Sequence, residues 1–330
     1  MVFLSLIIPV YNRPQEIEEL LESLACQTMS GFEVIIVEDG SKISSEEIVR
    51  TYQEKLDISY FFIPNGGPGK ARNYGAAKAK GEYLIVLDSD CIIPPDYIKN
   101  VQEEIKATNA DAFGGPDKAA DNFTDVQKAI NYSMTSFFTT GGIRGGKKKM
   151  DKFFPRSFNM GIKREVYEKL NGFADMRFGE DIDFSIRLYK SGYKVCLFPS
   201  AWVYHKRRTD WKKFFRQVYN SGIARINLYI KYPDSLKLVH MLPAAFTVGV
   251  TILLIGGIFS LWSLLPILIY VLLLFTDASI KTKSIKIGFL SIIAAFVQLF
   301  GYGCGFLYAA WRRLILRKNE FSAFNKTFYK

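Results

Sequence analysis

Apolar residues in the first hundred positions arrive in short solid blocks separated by segments of helical spacing. Leu4–Val10, Phe32–Val37, Ile58–Ile63 and Tyr83–Leu87 are apolar runs rich in β-branched and aromatic residues, the pattern of parallel strands covered on both faces. Between them, Glu16–Cys26 carries Ile17, Leu20, Leu21 and Leu24 on one helical face. Ser45–Lys55 and the Ala-rich Gly69–Ala79 read as further helices. The alternation predicts an α/β, doubly wound, mostly parallel sheet, and such sheets bind ligands beyond the carboxyl ends of their strands.

From Asp111 to Met150 the pattern weakens. Thr139–Lys149 (Thr-Thr-Gly-Gly-Ile-Arg-Gly-Gly-Lys-Lys-Lys) reads as a loop, either a plain linker or one that closes over phosphates. Phe158–Leu170 and Gly179–Ser191 are predicted helices and Lys194–Phe198 a strand.

Beyond residue 240 the chain changes character. Leu242–Phe275 holds no charge over 34 residues, and Ile287–Trp311 none over 25, against the roughly 20 apolar residues one bilayer crossing needs. The predicted organisation is a soluble domain over 1–235 and a membrane region over 236–330. Within the latter, 242–258, 262–276 and 287–311 are transmembrane or re-entrant segments. Lys281, Lys283 and Lys286 fill a polar break at Asp277–Lys286, and Arg312, Arg313, Arg317 and Lys318 follow the last apolar stretch. The positive-inside rule puts both basic clusters in the cytosol. Either the last stretch is re-entrant at Gly301-Tyr302-Gly303-Cys304-Gly305, or the chain crosses three times.

The formal charge of +11 has no single long basic run behind it. Lys and Arg gather at 144–164, at 206–216 and around the apolar segments, which suits an anionic membrane surface and not nucleic acid. Trp211, Phe214 and Phe215 interleaved with Lys212, Lys213 and Arg216 suit a helix at the membrane interface. Cys26, Cys91, Cys196 and Cys304 show no Cys-x-x-Cys spacing, which argues against a disulfide framework or zinc site and for reduced cytosolic thiols. The opening Met-Val-Phe-Leu-Ser-Leu-Ile-Ile-Pro-Val lacks a basic leader and reads as a buried strand, so the first domain is expected to face the cytosol.

The polar residues after the strands carry the candidate chemistry. Asp88-Ser89-Asp90 follows Tyr83–Leu87, where two carboxylates reach a common hard cation, Mn²⁺ or Mg²⁺, or else form a solvated turn. Val37-Glu38-Asp39-Gly40-Ser41 ends the second strand, where an acid binds a nucleoside or simply shapes a turn. Gly179-Glu180-Asp181-Ile182-Asp183 opens a helix, either complementing its dipole or offering a general base. His205, one of two histidines, is a structural residue or a further metal ligand.

Together with Ile8-Pro9-Val10-Tyr11-Asn12, Gly69-Lys70-Ala71-Arg72-Asn73 and Gly172-Phe173, these motifs resemble the family 2 glycosyltransferases over about residues 3–235. The resemblance implies a GT-A fold and inverting sugar transfer from a nucleotide-sugar donor, a UDP-sugar, to a hydroxyl of a lipid-linked or glycan acceptor. It implies that Asp39 contacts the uracil, Asp88 the ribose or metal, and that Asp90 binds the metal with His205 as a further ligand. Asp181 would be the base, Arg72 would lie near the nucleotide, and Pro9, Tyr11, Asn12, Ser89 and Glu180 would line the substrate site. The implied setting is a bacterial inner membrane in contact with lipids, with the catalytic domain facing the cytosol and building envelope polysaccharide or glycolipid. Two departures stand out. Glu38 replaces the family's usual Asp, and the Gln-x-x-Arg-Trp signature of processive members is missing, with Phe215-Arg216-Gln217 in the corresponding region; transfer of a single sugar is expected. A sugar nucleotidyltransferase would carry a Gly-rich loop where Tyr11-Asn12-Arg13-Pro14 stands, and a non-enzymatic membrane scaffold would not need the intact carboxylates.

Overall fold

The computed structural model describes residues 3–118, 123–141, 153–176, 178–206 and 209–319. The chain forms two compact units, one from residues up to 118 and from 153–206, the other from 123–141 and from 209 onward. In chain order the first unit begins with β1 (Leu4–Val10), α1 (Pro14–Ala25), β2 (Phe32–Asp39), α2 (Glu46–Tyr52), β3 (Ile58–Ile63) and α3 (Pro68–Lys78). It continues with β4 (Tyr83–Leu87), β5 (Cys91–Ile92), α4 (Tyr97–Thr108), β6 (Ala112–Gly114) and β7 (Asp117–Lys118). After α5 (Asp125–Thr135) and α6 (Phe137–Thr140) of the second unit come β8 (Asn159–Lys163), α7 (Arg164–Lys169), α8 (Glu180–Lys190), β9 (Val195–Leu197) and β10 (Val203–His205).

Seven strands make one sheet in the order β3-β2-β1-β4-β8-β6-β9. β1 pairs in parallel with β2 on one side and β4 on the other, so the winding reverses between β1 and β4 and leaves a crevice at their carboxyl ends. Alternate residues of the central strands feed two cores. Leu4, Leu6, Ile8 and Val10 join Ile17, Leu20, Leu21 and Leu24 of α1 and Tyr97, Ile98 and Val101 of α4. Ile7, Ile35, Val37, Leu84 and Val86 join Ala71 and Ala76 of α3 and Phe184 and Leu188 of α8. The small residues of α3 let it lie close to the sheet, since a Cβ on Gly75 would come within 2.6 Å of Ile7 Cγ2.

The helix expected over Phe158–Leu170 is corrected in its first half. Asn159–Lys163 is strand β8, antiparallel to both β4 and β6, and only Arg164–Lys169 is helical. The Phe113 ring lies across Gly161, where a Cβ would sit 2.0 Å from its Cζ; that tertiary fit outweighs the local spacing. Of the loop expected over Thr139–Lys149, residues 142–149 lie outside the described residues, while Thr139 and Thr140 end α6.

The second unit adds α9 (Trp211–Lys231), α10 (Leu242–Gly256), α11 (Leu265–Thr282) and α12 (Ile285–Ala310). α5 and α9, both inside the 1–235 segment, pack in this unit along α12. The polar break does not end α11, because Asp277 is accommodated within it, accepting from Tyr132 Oη at 2.6 Å and from Lys281 Nζ at 2.9 Å. The turn falls instead at Lys283, with φ of 53°. The glycine run does not interrupt α12 either. A Cβ on Gly301 would meet Val218 Cγ2 at 2.5 Å and one on Gly305 the Tyr219 carbonyl at 2.1 Å, both on α9. Gly303 instead lies against Pro243 and Thr247 of α10. These glycines are packing notches between helices. Leu261–Thr282 and Ile285–Ile315 are long and apolar enough to cross a membrane, and Leu242–Gly256 is a shorter apolar helix. Phe259 and Trp262, in the α10–α11 connection, are 86% and 80% exposed.

Candidate active site

Three loops meet the crevice at the ends of β1, β2 and β4. Asn12, directly after β1, takes the left-handed conformation at φ 51° that Asn tolerates. Its Oδ1 accepts from the amides of Lys42 and Ile43, and its own amide donates to Ser41 Oγ. Glu38 is buried, accepting from Ser41 Oγ, from the Ser45 amide and from Tyr60 Oη. The longer acid at this position thus shapes the loop into α2. Asp39 accepts the amides of Gly66 and Gly67 on its two oxygens at 2.7 and 2.8 Å, fixing the turn that starts α3. Burial pushes the Asp39 carboxyl up, against those amides and Lys70. Pro9 lies partly buried within β1, and Tyr11 follows it partly buried.

The carboxylates after β4 form the centre. Arg72 of α3 is 3% exposed. It donates from Nη2 to Asp88 Oδ1 at 2.9 Å and from Nη1 to Glu180 Oε1 at 2.8 Å. Arg13, in the loop after β1, pairs with Asp90 Oδ2. Ser89 between them is buried. His205 is brought here by β10, which pairs antiparallel with β5 so that His205 faces Cys91; the Lys206 amide also donates to the Asp90 carbonyl. His205 Nε2 stands 3.1 Å from Asp90 Oδ1 and 3.9 Å from Asp88 Oδ2, with its ring stacked on Phe158. Each aspartate therefore gives one oxygen to an arginine and turns the other toward the imidazole. The edge of an octahedron with bonds of about 2.1 Å is about 3 Å long, so the Asp90–His205 pair has the spacing of adjacent ligands. Two carboxylates and an imidazole form a donor set that suits a hard or borderline divalent ion. Among the described residues, the side chains whose ligand atoms all lie within 4.8 Å of one another are Asp90, Cys91 and His205, with Asp88 standing outside that set. Burial and the neighbouring aspartates push the Cys91 thiol well up, and its Sγ donates to the Phe158 carbonyl, so we assign it to packing.

α8 supplies the remaining acids. Glu180 closes the Arg72 bridge; burial raises its carboxyl and Asp181 adds to the rise, while Arg72 opposes it. Asp181 is 7% exposed, with Oδ1 accepting the Ile182 amide and Oδ2 paired with Arg156 Nε at 2.8 Å. Asp183 has a structural part. It pairs with Arg187, which also donates to the carbonyls of Leu170 and Gly172. Asn73 completes this joint by accepting from the Phe173 amide and donating to its carbonyl.

The structure thus joins Arg72, Asp88, Asp90, Glu180 and His205 in one network. Asp181 is adjacent to it in the chain, and Asn12 and Asp39 fix the flanking loops. Sequence reasoning passed over Arg13 and Arg156. Arg13 had a signal, a cation in the loop beyond the first strand, whereas Arg156 stands in Phe153-Phe154-Pro155-Arg156-Ser157, which has no periodicity to point a side chain inward.

The family model for glycosyl transferase family 2 matches residues 5–171. The chain is 29% identical over 244 residues to the probable glycosyltransferase YdaM of Bacillus subtilis, covering 68% of this chain and 55% of that protein. An uncharacterized glycosyltransferase of Haemophilus influenzae is 31% identical over 219 residues, 63% of this chain and 70% of that protein. The chain thus spans little more than half the length of the first of these relatives. Among solved structures, the mannosyltransferase PcManGT from Pyrobaculum calidifontis, in complex with GDP-Man and Mn²⁺, matches with a TM-score of 0.64 at 19% identity, over 91% of this chain and 87% of that one. The match shows a shared GT-A fold.

Proposed function

The chain belongs to glycosyl transferase family 2, and from that premise we propose that it is an inverting, metal-dependent transferase. It moves one sugar from a UDP-sugar to a hydroxyl of a lipid-linked or envelope glycan acceptor. The observation that carries this reading is the placement of Asp90 Oδ1 and Asp88 Oδ2 at 3.1 and 3.9 Å from His205 Nε2, at the winding reversal of the sheet. Acids on α8 are tied to the same place through Arg72. PcManGT, of the same fold, holds a nucleoside diphosphate sugar with Mn²⁺, the donor class assigned here.

Asp88, Asp90 and His205 hold the divalent ion, which when bound neutralises charge on the departing diphosphate. Asp39 and the loop it anchors receive the uracil, and Arg72 orients Asp88 and Glu180 beside the ribose. Asp181 takes the proton of the acceptor hydroxyl. The hydroxyl oxygen bonds to the anomeric carbon as the bond from that carbon to the diphosphate oxygen breaks, so UDP leaves and the configuration inverts. Arg156 holds the Asp181 carboxylate in place. The missing Gln-x-x-Arg-Trp signature supports single-sugar transfer.

Residues of α10, α11 and α12 anchor the protein in a bacterial inner membrane, supported by two helices of crossing length and their exposed apolar side chains. The expected outcome is that the full chain stays in membranes washed with alkaline carbonate; release into the supernatant would contradict anchoring. Such membranes, given a panel of labelled UDP-sugars with Mn²⁺, are expected to move label from one of them into lipid or glycan. No transfer from any nucleotide-sugar in the panel would count against the reading.

A further inference from the structure

Arg13 is not needed for the steps above, yet it occupies the centre of the site. Its guanidinium pairs with Asp90 Oδ2, while Asp90 Oδ1 faces His205. It is partly exposed at 29%, at the open end of the loop after β1, whereas Arg72 is enclosed at 4%. Within the network, Asp88, Asp90 and Glu180 face Arg13 and Arg72, so three carboxylates meet two fixed cations. A lone divalent ion entering here finds its carboxylates largely neutralised, and at this range like charges repel strongly.

We infer that Arg13 is a built-in counter-ion that competes with a free divalent cation for Asp90, making tight metal binding depend on the diphosphate of the donor. The inference rests on the metal site of the proposed function and adds a residue to it. The diphosphate brings negative charge that both cations share, so with donor present Arg13 has a second anionic partner and its repulsion of the metal is offset. Coupling of this kind is reciprocal: whatever factor the nucleotide adds to metal affinity, the metal adds to nucleotide affinity. Arg13 is thus a positioning residue acting through Asp90.

The test titrates Mn²⁺ into the full chain in detergent, reading free Mn²⁺ by its paramagnetic resonance signal, with and without UDP. Arg13→Gln keeps a hydrogen-bond donor for Asp90 but removes the charge. It is expected to bind Mn²⁺ alone about tenfold more tightly than wild type, from the loss of one nearby like charge. The gain in Mn²⁺ affinity on adding UDP is expected to shrink by a similar factor. Arg13→Lys keeps the charge and is expected to stay within about twofold of wild type in both measurements. Mn²⁺ binding to Arg13→Gln that is equal to or weaker than wild type overturns the inference, as does an equal tightening in Arg13→Lys. Failure of wild type to bind Mn²⁺ even with UDP would strike at the metal site itself, a result distinct from either.

Discussion

Asp181→Asn is expected to lower turnover by roughly 10²–10⁴, the range for loss of a general base, while UDP-sugar affinity stays within a few-fold of wild type. The side chain keeps nearly its volume and still accepts the Ile182 amide that now holds Oδ1, so the start of α8 is retained. What is lost is the ability to take a proton and the ion pair with Arg156. In the proposed function the donor is held by other residues, Asp88, Asp90 and the loop fixed by Asp39, so binding and chemistry are expected to separate. Steady-state transfer kinetics with donor titration checks this. A loss of donor affinity equal to the loss of rate would make Asp181 a binding residue. Retention of most of the rate would move the base elsewhere, and Glu180 is then the next acid to test, since Asp183 is committed to Arg187.

The second large effect is on stability. Arg72→Met is expected to cost about 3–5 kcal/mol, the range for removing one partner of a buried ionic network. Arg72 is almost completely enclosed, and its removal leaves Glu180, 8% exposed, and Asp88 facing each other without their shared cation. Lysine in its place offers one point charge where two carboxylates are held by separate nitrogens, so Arg72→Lys is expected to recover only part of the loss. Denaturant unfolding of the full chain in detergent, followed by aromatic fluorescence, measures both. A midpoint unchanged in Arg72→Met would show that the network contributes nothing net to folding.

The parts of this molecule that could be read from the chain are those where local pattern and tertiary burial agree. β1 to β4 are buried on both faces and appear as solid apolar blocks, so their order and their loops followed directly. Asp88, Asp90, Asp181 and Glu180 stand out as candidates in the chain because they lie at strand or helix ends. Other features depend on partners far away in sequence. His205 reaches Asp90 only through the pairing of β10 with β5, which no spacing rule encodes; only the family resemblance pointed to it. Phe158–Leu170 was misassigned because apolar residues around Gly161 suit either element until Phe113 is laid across it. Gly301, Gly303 and Gly305 looked like a break because their role is to admit α9 and α10. Asp277 looked like the end of an apolar segment because its partner, Tyr132, is 145 positions away. Arg13 and Arg156 escaped for the same reason: an arginine in a loop carries no sign of what it will face.

In the proposed function Asp88, Asp90 and His205 hold a divalent ion that binds the diphosphate of a nucleotide-sugar. Calorimetric titration of UDP into the full chain, with Mn²⁺ and with a chelator in its place, for wild type and Asp90→Ala, tests it most directly. Wild type is expected to bind UDP at least tenfold more tightly with Mn²⁺, a coupling of about 1.4 kcal/mol or more, and Asp90→Ala to lose that difference. UDP binding that is indifferent to Mn²⁺ in wild type, or an undiminished Mn²⁺ effect in Asp90→Ala, would contradict the proposed function.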